Sequence, residues 1–176
     1  FKKAIAIKPD YVEAHYSLGT LLQELGQLDE AVKSYEVVLV IRPDFAKIHN
    51  NLGVIFNELK QKDAALKSLE RAVAIKPDFA EAHNNLGNVF KELNEYDTAL
   101  KSYKKAIATK PDYAEAHNNL GIALKDLEQL DTAVKSFKKA IAIKPDYVEA
   151  NYSLGIICQE LDQLDESVKS HEAVLF

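Results

Sequence analysis

The stretch that decides the fold is Lys76-Pro77-Asp78-Phe79-Ala80-Glu81-Ala82-His83-Asn84-Asn85-Leu86-Gly87. It reads as a stop followed by a start. Pro77 ends a helix, because it has no N–H to donate and its ring clashes with the preceding turn. Asp78, with Glu81 three residues on, makes an Asp version of a capping box and predicts the start of a new helix. Nearly the same words recur along the chain. Pro9, Pro43, Pro77, Pro111 and Pro145 lie 34 residues apart, each preceded by Lys or Arg and followed by Asp and an aromatic. A fixed period of this size is the signature of a solenoid, in which one supersecondary unit stacks on the next.

Counting positions from the residue after each aromatic, complete repeats run 12–45, 46–79, 80–113 and 114–147. Residues 1–11 are the tail of an earlier repeat and 148–176 most of a sixth, so 1–176 reads as a single array. Ala82, Leu86, Val89, Phe90 and Leu93 have the spacing of one helical stripe, and Ala99, Leu100, Tyr103, Ala106 and Ile107 that of a second. Neither helix is long enough to stand alone in water, so each must bury its stripe against its neighbours. Asp10, Asp44, Asp112 and Asp146 repeat the role of Asp78, and Glu13, Glu115 and Glu149 complete the box; Lys47 breaks it. Asp29, Asp63, Asp97, Asp131 and Asp165 stand where the second helix should be N-capped. Gly19, Gly53, Gly87, Gly121 and Gly155 fall inside the first helix. Glycine there costs about 1 kcal/mol against alanine, so its recurrence predicts a close helix–helix approach.

These residues resemble the tetratricopeptide repeat family, whose pattern is W-x2-L-G-x2-Y, then A-x3-F, then P. The third complete repeat matches with His83, Leu86, Gly87, Phe90, Ala99, Tyr103 and Pro111, and the fourth with His117, Leu120, Gly121, Leu124, Ala133, Phe137 and Pro145. The tryptophan position departs from the pattern: it holds His15, His49, His83, His117 and Asn151. The resemblance implies an all-α solenoid, a right-handed superhelix of antiparallel helix pairs. Its first helices would line the concave face.

Composition narrows the function. A net charge of −5 disfavours nucleic acid, whose binding rests on neutralising phosphates. No apolar run is long enough for a membrane span. Cys158 is the only cysteine, so no internal disulfide and no zinc cluster can form; a lone thiol fits an intracellular, reducing setting. The recurring histidines sit on successive first helices, roughly 8–10 Å apart by helix packing, too far for shared metal coordination and better read as packing residues. His171 reads the same way. No nucleophile–base set, phosphate loop or cofactor motif is present, so the segment reads as non-catalytic and without a cofactor.

On the first helix, positions 2, 5, 6, 9, 12 and 13 face away from the packed stripe. Three repeats carry paired asparagines there, Asn50 with Asn51, Asn84 with Asn85 and Asn118 with Asn119, flanked by Tyr16 with Ser17 and Tyr152 with Ser153. Asparagine is a poor helix former, and its amide offers the donor and acceptor that a peptide backbone needs. Copies about 10 Å apart would meet every third unit of an extended chain. The pairs resemble the asparagine ladder in the superhelical repeat region of O-linked N-acetylglucosamine transferases. That resemblance implies Asn51, Asn85 and Asn119 as contacts to a ligand backbone, with Asn88 at position 9 nearby. The competing reading is that these amides bond neighbouring helices or are inherited through repeat duplication, and both stand at this level. Position 13 is acidic throughout (Glu24, Glu58, Glu92, Asp126, Glu160), which favours a basic partner. The absence of Lys and Arg at positions 5 and 6 excludes the chaperone-type carboxylate clamp.

Residues 1–39 agree with 137–175 at 31 of 39 positions, a second period of four repeats. The chain starts and stops in mid-pattern, which reads as a fragment of a longer array. Phe1, Val174, Leu175 and Phe176 would then expose apolar surface, and head-to-tail self-association through the ends is expected. The alternatives to a peptide-binding scaffold are therefore a self-assembly module, or the substrate-selecting arm of a larger enzyme such as a glycosyltransferase.

Overall fold

The structure is a computed structural model that describes residues 1–160. These form α1 (Lys2–Ile7), α2 (Val12–Glu24), α3 (Leu28–Ile41), α4 (Ala46–Glu58), α5 (Lys62–Ile75), α6 (Ala80–Glu92), α7 (Tyr96–Thr109), α8 (Ala114–Asp126), α9 (Leu130–Ile143) and α10 (Val148–Glu160), with no strand among the described residues. Helices α2, α4, α6, α8 and α10 are the first helices of successive repeats, and α3, α5, α7 and α9 the second. The expectations for Asp165, His171, Val174, Leu175 and Phe176 lie outside the described residues.

Two compact units are present, Phe1–Asn85 and the chain from Leu86 onward, with the boundary inside α6. In the first unit α2 pairs with α3, α4 pairs with α5, and α3 also packs on α4. Its core gathers Val12, Ala31, Tyr35, Val38, Ile48, Leu52 and Ile55. In the second unit α7 and α9 both pack on α8, and α9 packs on α10. Ala99, Tyr103, Ala123, Ala133, Phe137, Ala150 and Ile157 form the core there. Within the units α3 thus lies between the first helices α2 and α4, and α9 between α8 and α10, which is how helices too short to fold alone become stable.

The predicted close approach is found at the glycines. A Cβ at Gly19 would lie 2.7 Å from the Tyr35 ring, and one at Gly121 would lie 2.8 Å from Phe137. Gly53 faces Leu69 and Gly87 faces Tyr103 as tightly. The buried side chain at position 24 therefore fills the space that glycine vacates at position 8.

The caps differ from expectation. The N-caps of α2, α4 and α8 are Tyr11, Phe45 and Tyr113, and none makes a side-chain cap bond. Asp10, Asp44 and Asp112 stand one residue outside them, too early to cap. Likewise Gln27, Gln61, Glu95 and Gln129 cap α3, α5, α7 and α9, which places Asp29, Asp63, Asp97 and Asp131 second in their helices. There a carboxylate favours the helix through the dipole rather than through a cap bond.

The position-4 histidines do more than pack. His15, His49, His83 and His117 place Nε2 2.8–3.0 Å from the carbonyls of Pro9, Pro43, Pro77 and Pro111. Asn151 donates Nδ2 to Pro145 at 3.0 Å in the same role. Each proline turn thus has one otherwise orphaned carbonyl satisfied from the next helix. The lysine before the proline lies over the aromatic after it in four turns, with Nζ 4.9–5.8 Å from the ring centroid. Two residues past the ends of α2, α4, α6 and α8 stands a residue at positive φ: Gly26 at 70°, Lys60 at 62°, Asn94 at 61° and Glu128 at 58°.

Candidate functional site

The first-helix face of the first unit carries Tyr16 and Ser17 on α2, Asn50 and Asn51 on α4, and Asn84 and Asn85 on α6. Positions 5 and 6 behave differently. Asn50 and Asn84 are buried, whereas Asn51 and Asn85 are half-buried. Asn51 donates Nδ2 to the Tyr35 hydroxyl at 3.0 Å, and Asn85 donates Nδ2 to Asn50 Oδ1 at 2.9 Å. Both bonds run back to the preceding repeat. Asn51 and Asn85 make no other hydrogen bond among the described residues, so the Oδ1 of each is left without a protein partner.

Tyr35 is the hub of this unit. Its buried hydroxyl donates to Gln23 Oε1 at 3.3 Å and lies 3.2 Å from Thr20 Oγ1. Tyr16 stacks on Phe45 with ring centroids 5.6 Å apart and leans on Tyr35 at 6.2 Å. Lys47, the one basic residue at position 2 of the repeats, lies over Tyr16 at 5.5 Å. A hydrogen bond and electrostatic attraction from Tyr16 hold its ammonium pKa above the usual lysine value.

The second unit repeats the arrangement with other residues. Asn88 Oδ1 accepts from Tyr103 Oη at 2.8 Å and from Asn119 Nδ2 at 3.2 Å. Burial raises the Tyr103 phenol pKa well above that of a free tyrosine, and the carboxylates of Glu92, Asp126 and Glu115 add to the rise. Asn118 is buried, and its Oδ1 has no hydrogen-bond partner. Tyr152 is exposed and Ser153 half-buried.

One regularity escaped the sequence reading. Where position 24 is tyrosine, position 9 is polar: Thr20 serves Tyr35 and Asn88 serves Tyr103. Where position 24 has no hydroxyl, as in Leu69 and Phe137, position 9 is Val54 or Ile122. A buried hydroxyl needs a partner, and an apolar side chain must not leave one unpaired. The signal was visible as co-occurrence of residue types 15 positions apart, but only the hairpin shows that these residues touch.

Among the described residues no group of His, Cys, Asp and Glu could hold a metal ion, and no helix is long and apolar enough to cross a membrane. Helix hairpins of one length, joined by proline turns and threaded by side-chain amides, define an α-helical repeat scaffold. The chain belongs to the tetratricopeptide repeat family. Family models described as TPR repeat match residues 21–60, 53–94 and 87–127, and models described as tetratricopeptide repeat match 1–33 and 114–147. No curated protein matches the chain in sequence. Among solved structures, a MamA protein is similar at 27% identity and a TM-score of 0.77, covering 93% of this chain and 90% of its own. PilF of Pseudomonas aeruginosa is similar at 19% identity and a TM-score of 0.88, covering 93% and 75%. YrrB, described as a TPR protein with an unusual peptide-binding site, is similar at 19% identity and a TM-score of 0.72, covering 99% and 90%.

Proposed function

We propose that the chain is a non-catalytic protein-interaction scaffold and that each unit holds an extended stretch of a partner polypeptide along its first helices. The observation that carries this is the orientation of Asn51 and Asn85. Each spends its Nδ2 on the preceding repeat, which fixes the amide plane and leaves Oδ1 as a preorganised acceptor for a backbone N–H. Asn119 donates its Nδ2 to Asn88 Oδ1. The buried Asn50, Asn84 and Asn118 form the supporting layer, and Tyr16, Ser17, Tyr152 and Ser153 flank it. The description of YrrB as peptide-binding, and the resemblance of the asparagine pairs to the ladder of O-linked N-acetylglucosamine transferases, both support this reading. Exposed Glu92, Glu115, Asp126, Glu149 and Glu160 favour a partner with Lys or Arg beside the second unit.

The test is a selection from random extended peptides against the wild-type chain, followed by Asn51→Ala, Asn85→Ala and Asn119→Ala together. Loss of about 1 kcal/mol per backbone contact is expected, with helicity retained. Peptides that bind the triple variant as well as the wild type overturn the proposal.

A further inference from the structure

The second helices of the second unit carry a lysine face that no part of the proposed groove uses. Lys101, Lys104 and Lys105 on α7 and Lys135, Lys138 and Lys139 on α9 are all exposed and occupy the same three repeat positions. Spacings of three and four residues put each trio on one side of its helix. The opposite sides, with Ala99, Tyr103 and Ala106 on α7 and Ala133, Phe137 and Ala140 on α9, are buried. In the first unit the same positions hold Lys33, Glu36 and Val37, then Lys67, Glu70 and Arg71, and Arg71 is paired with Asp44. Lys101, Lys104, Lys105, Lys135 and Lys139 take no ion pair among the described residues.

From this contrast we infer that the α7–α9 face is a second docking surface, for a short acidic segment of a partner polypeptide. It goes beyond the groove reading and does not depend on it. The choice of occupant follows from charge and from what the face lacks. It holds no arginine and no aromatic ring, so it has neither bidentate phosphate forks nor stacking platforms for nucleic acid. Its other exposed residues include Ala108 and Ala142, which offer nothing to insert among lipids. The chain as a whole is at −5, which disfavours a long polyanion that extends past the patch. A short carboxylate-rich segment, screened within about 8 Å at physiological salt, feels the lysines alone.

The test is fluorescence anisotropy of a labelled oligoglutamate peptide at physiological salt. Lys101→Glu, Lys105→Glu, Lys135→Glu and Lys139→Glu together should weaken binding about tenfold. The control carries the same charge change on the first unit, Lys3→Glu, Lys33→Glu, Lys60→Glu and Lys67→Glu, and should bind within about twofold of the wild type. Lys→Gln at the four α7 and α9 positions should weaken binding less than Lys→Glu; this set also stands in if circular dichroism shows that the reversal disturbs folding. The inference is overturned by no peptide binding by the wild type, by equal weakening with both sets, and by tighter binding of duplex DNA or phosphatidylserine vesicles that depends on the same lysines. Salt-sensitive self-association lost with the α7 and α9 set would make the occupant a second copy, and would overturn it as well.

Discussion

The Asn51 side-chain amide donates to the Tyr35 hydroxyl at 3.0 Å, across the seam between one repeat and the next. One bond therefore joins a residue of the exposed face to the most buried ring of the unit. Removing the hydroxyl with Tyr35→Phe should cost about 1 kcal/mol of stability, since the ring stays and one hydrogen-bond hub goes. It should also weaken peptide binding, because the Asn51 amide loses its anchor. Chemical denaturation and peptide titration of the same variant measure the two effects. A loss of stability with unchanged affinity would show that the Asn51 orientation does not matter.

His83 should tolerate asparagine and not leucine. His83 Nε2 reaches the Pro77 carbonyl at 2.8 Å, and Asn151 satisfies the equivalent Pro145 carbonyl with its own amide. His83→Asn is expected to stay within about 0.5 kcal/mol of wild type. His83→Leu should lose about 1–2 kcal/mol through the orphaned carbonyl. Thermal denaturation of the two variants side by side checks the difference.

Lys60→Gly should stabilise the chain. Lys60, just past the C-cap of α4, is at φ 62°, where Gly26 stands past the C-cap of α2 at φ 70°. A residue with a Cβ is strained there and glycine is not. A gain of about 0.5–1 kcal/mol in denaturant unfolding is expected, with no change in helicity.

Tyr103 sets an alkaline limit. Its folded pKa is raised, first by burial and then by Glu92, Asp126 and Glu115. A group that binds its proton more tightly in the folded state contributes stability fully below its unfolded pKa, near 10 for tyrosine. That contribution is lost as pH rises from there through the folded pKa. Stability should therefore fall with pH above about 10, and Tyr103→Phe should flatten the fall. An equal slope in the variant would assign the effect elsewhere.

The architecture was legible in the sequence because proline and glycine act locally. Pro77 stops α5 wherever the chain goes next, and Gly87 states that something approaches its helix. What the sequence did not say is what approaches. Gly87 faces Tyr103, sixteen residues on in a different helix, and that contact exists only once the hairpin closes. The capping aspartates were misread for a related reason. Asp29 and Asp63 look like caps in a linear pattern, yet the helices begin one residue earlier, at Leu28 and Lys62. The asparagine pairs were legible as unusual, but not as two layers. Only packing separates buried Asn84 from half-buried Asn85. The charge of Lys47 was legible too, while its seat over the Tyr16 ring was not.

The bond from His83 to the Pro77 carbonyl spans six residues. A loop that short closes in roughly 10–100 ns, far sooner than helices dock. The bend between successive repeats can thus form before either repeat has a core, from a segment that needs nothing distant in the chain. With such bends at Pro9, Pro43, Pro77, Pro111 and Pro145, folding can begin at any of them and spread both ways. The order of events would then follow whichever hairpin closes first, and a chain emerging from synthesis could set each corner as it appears.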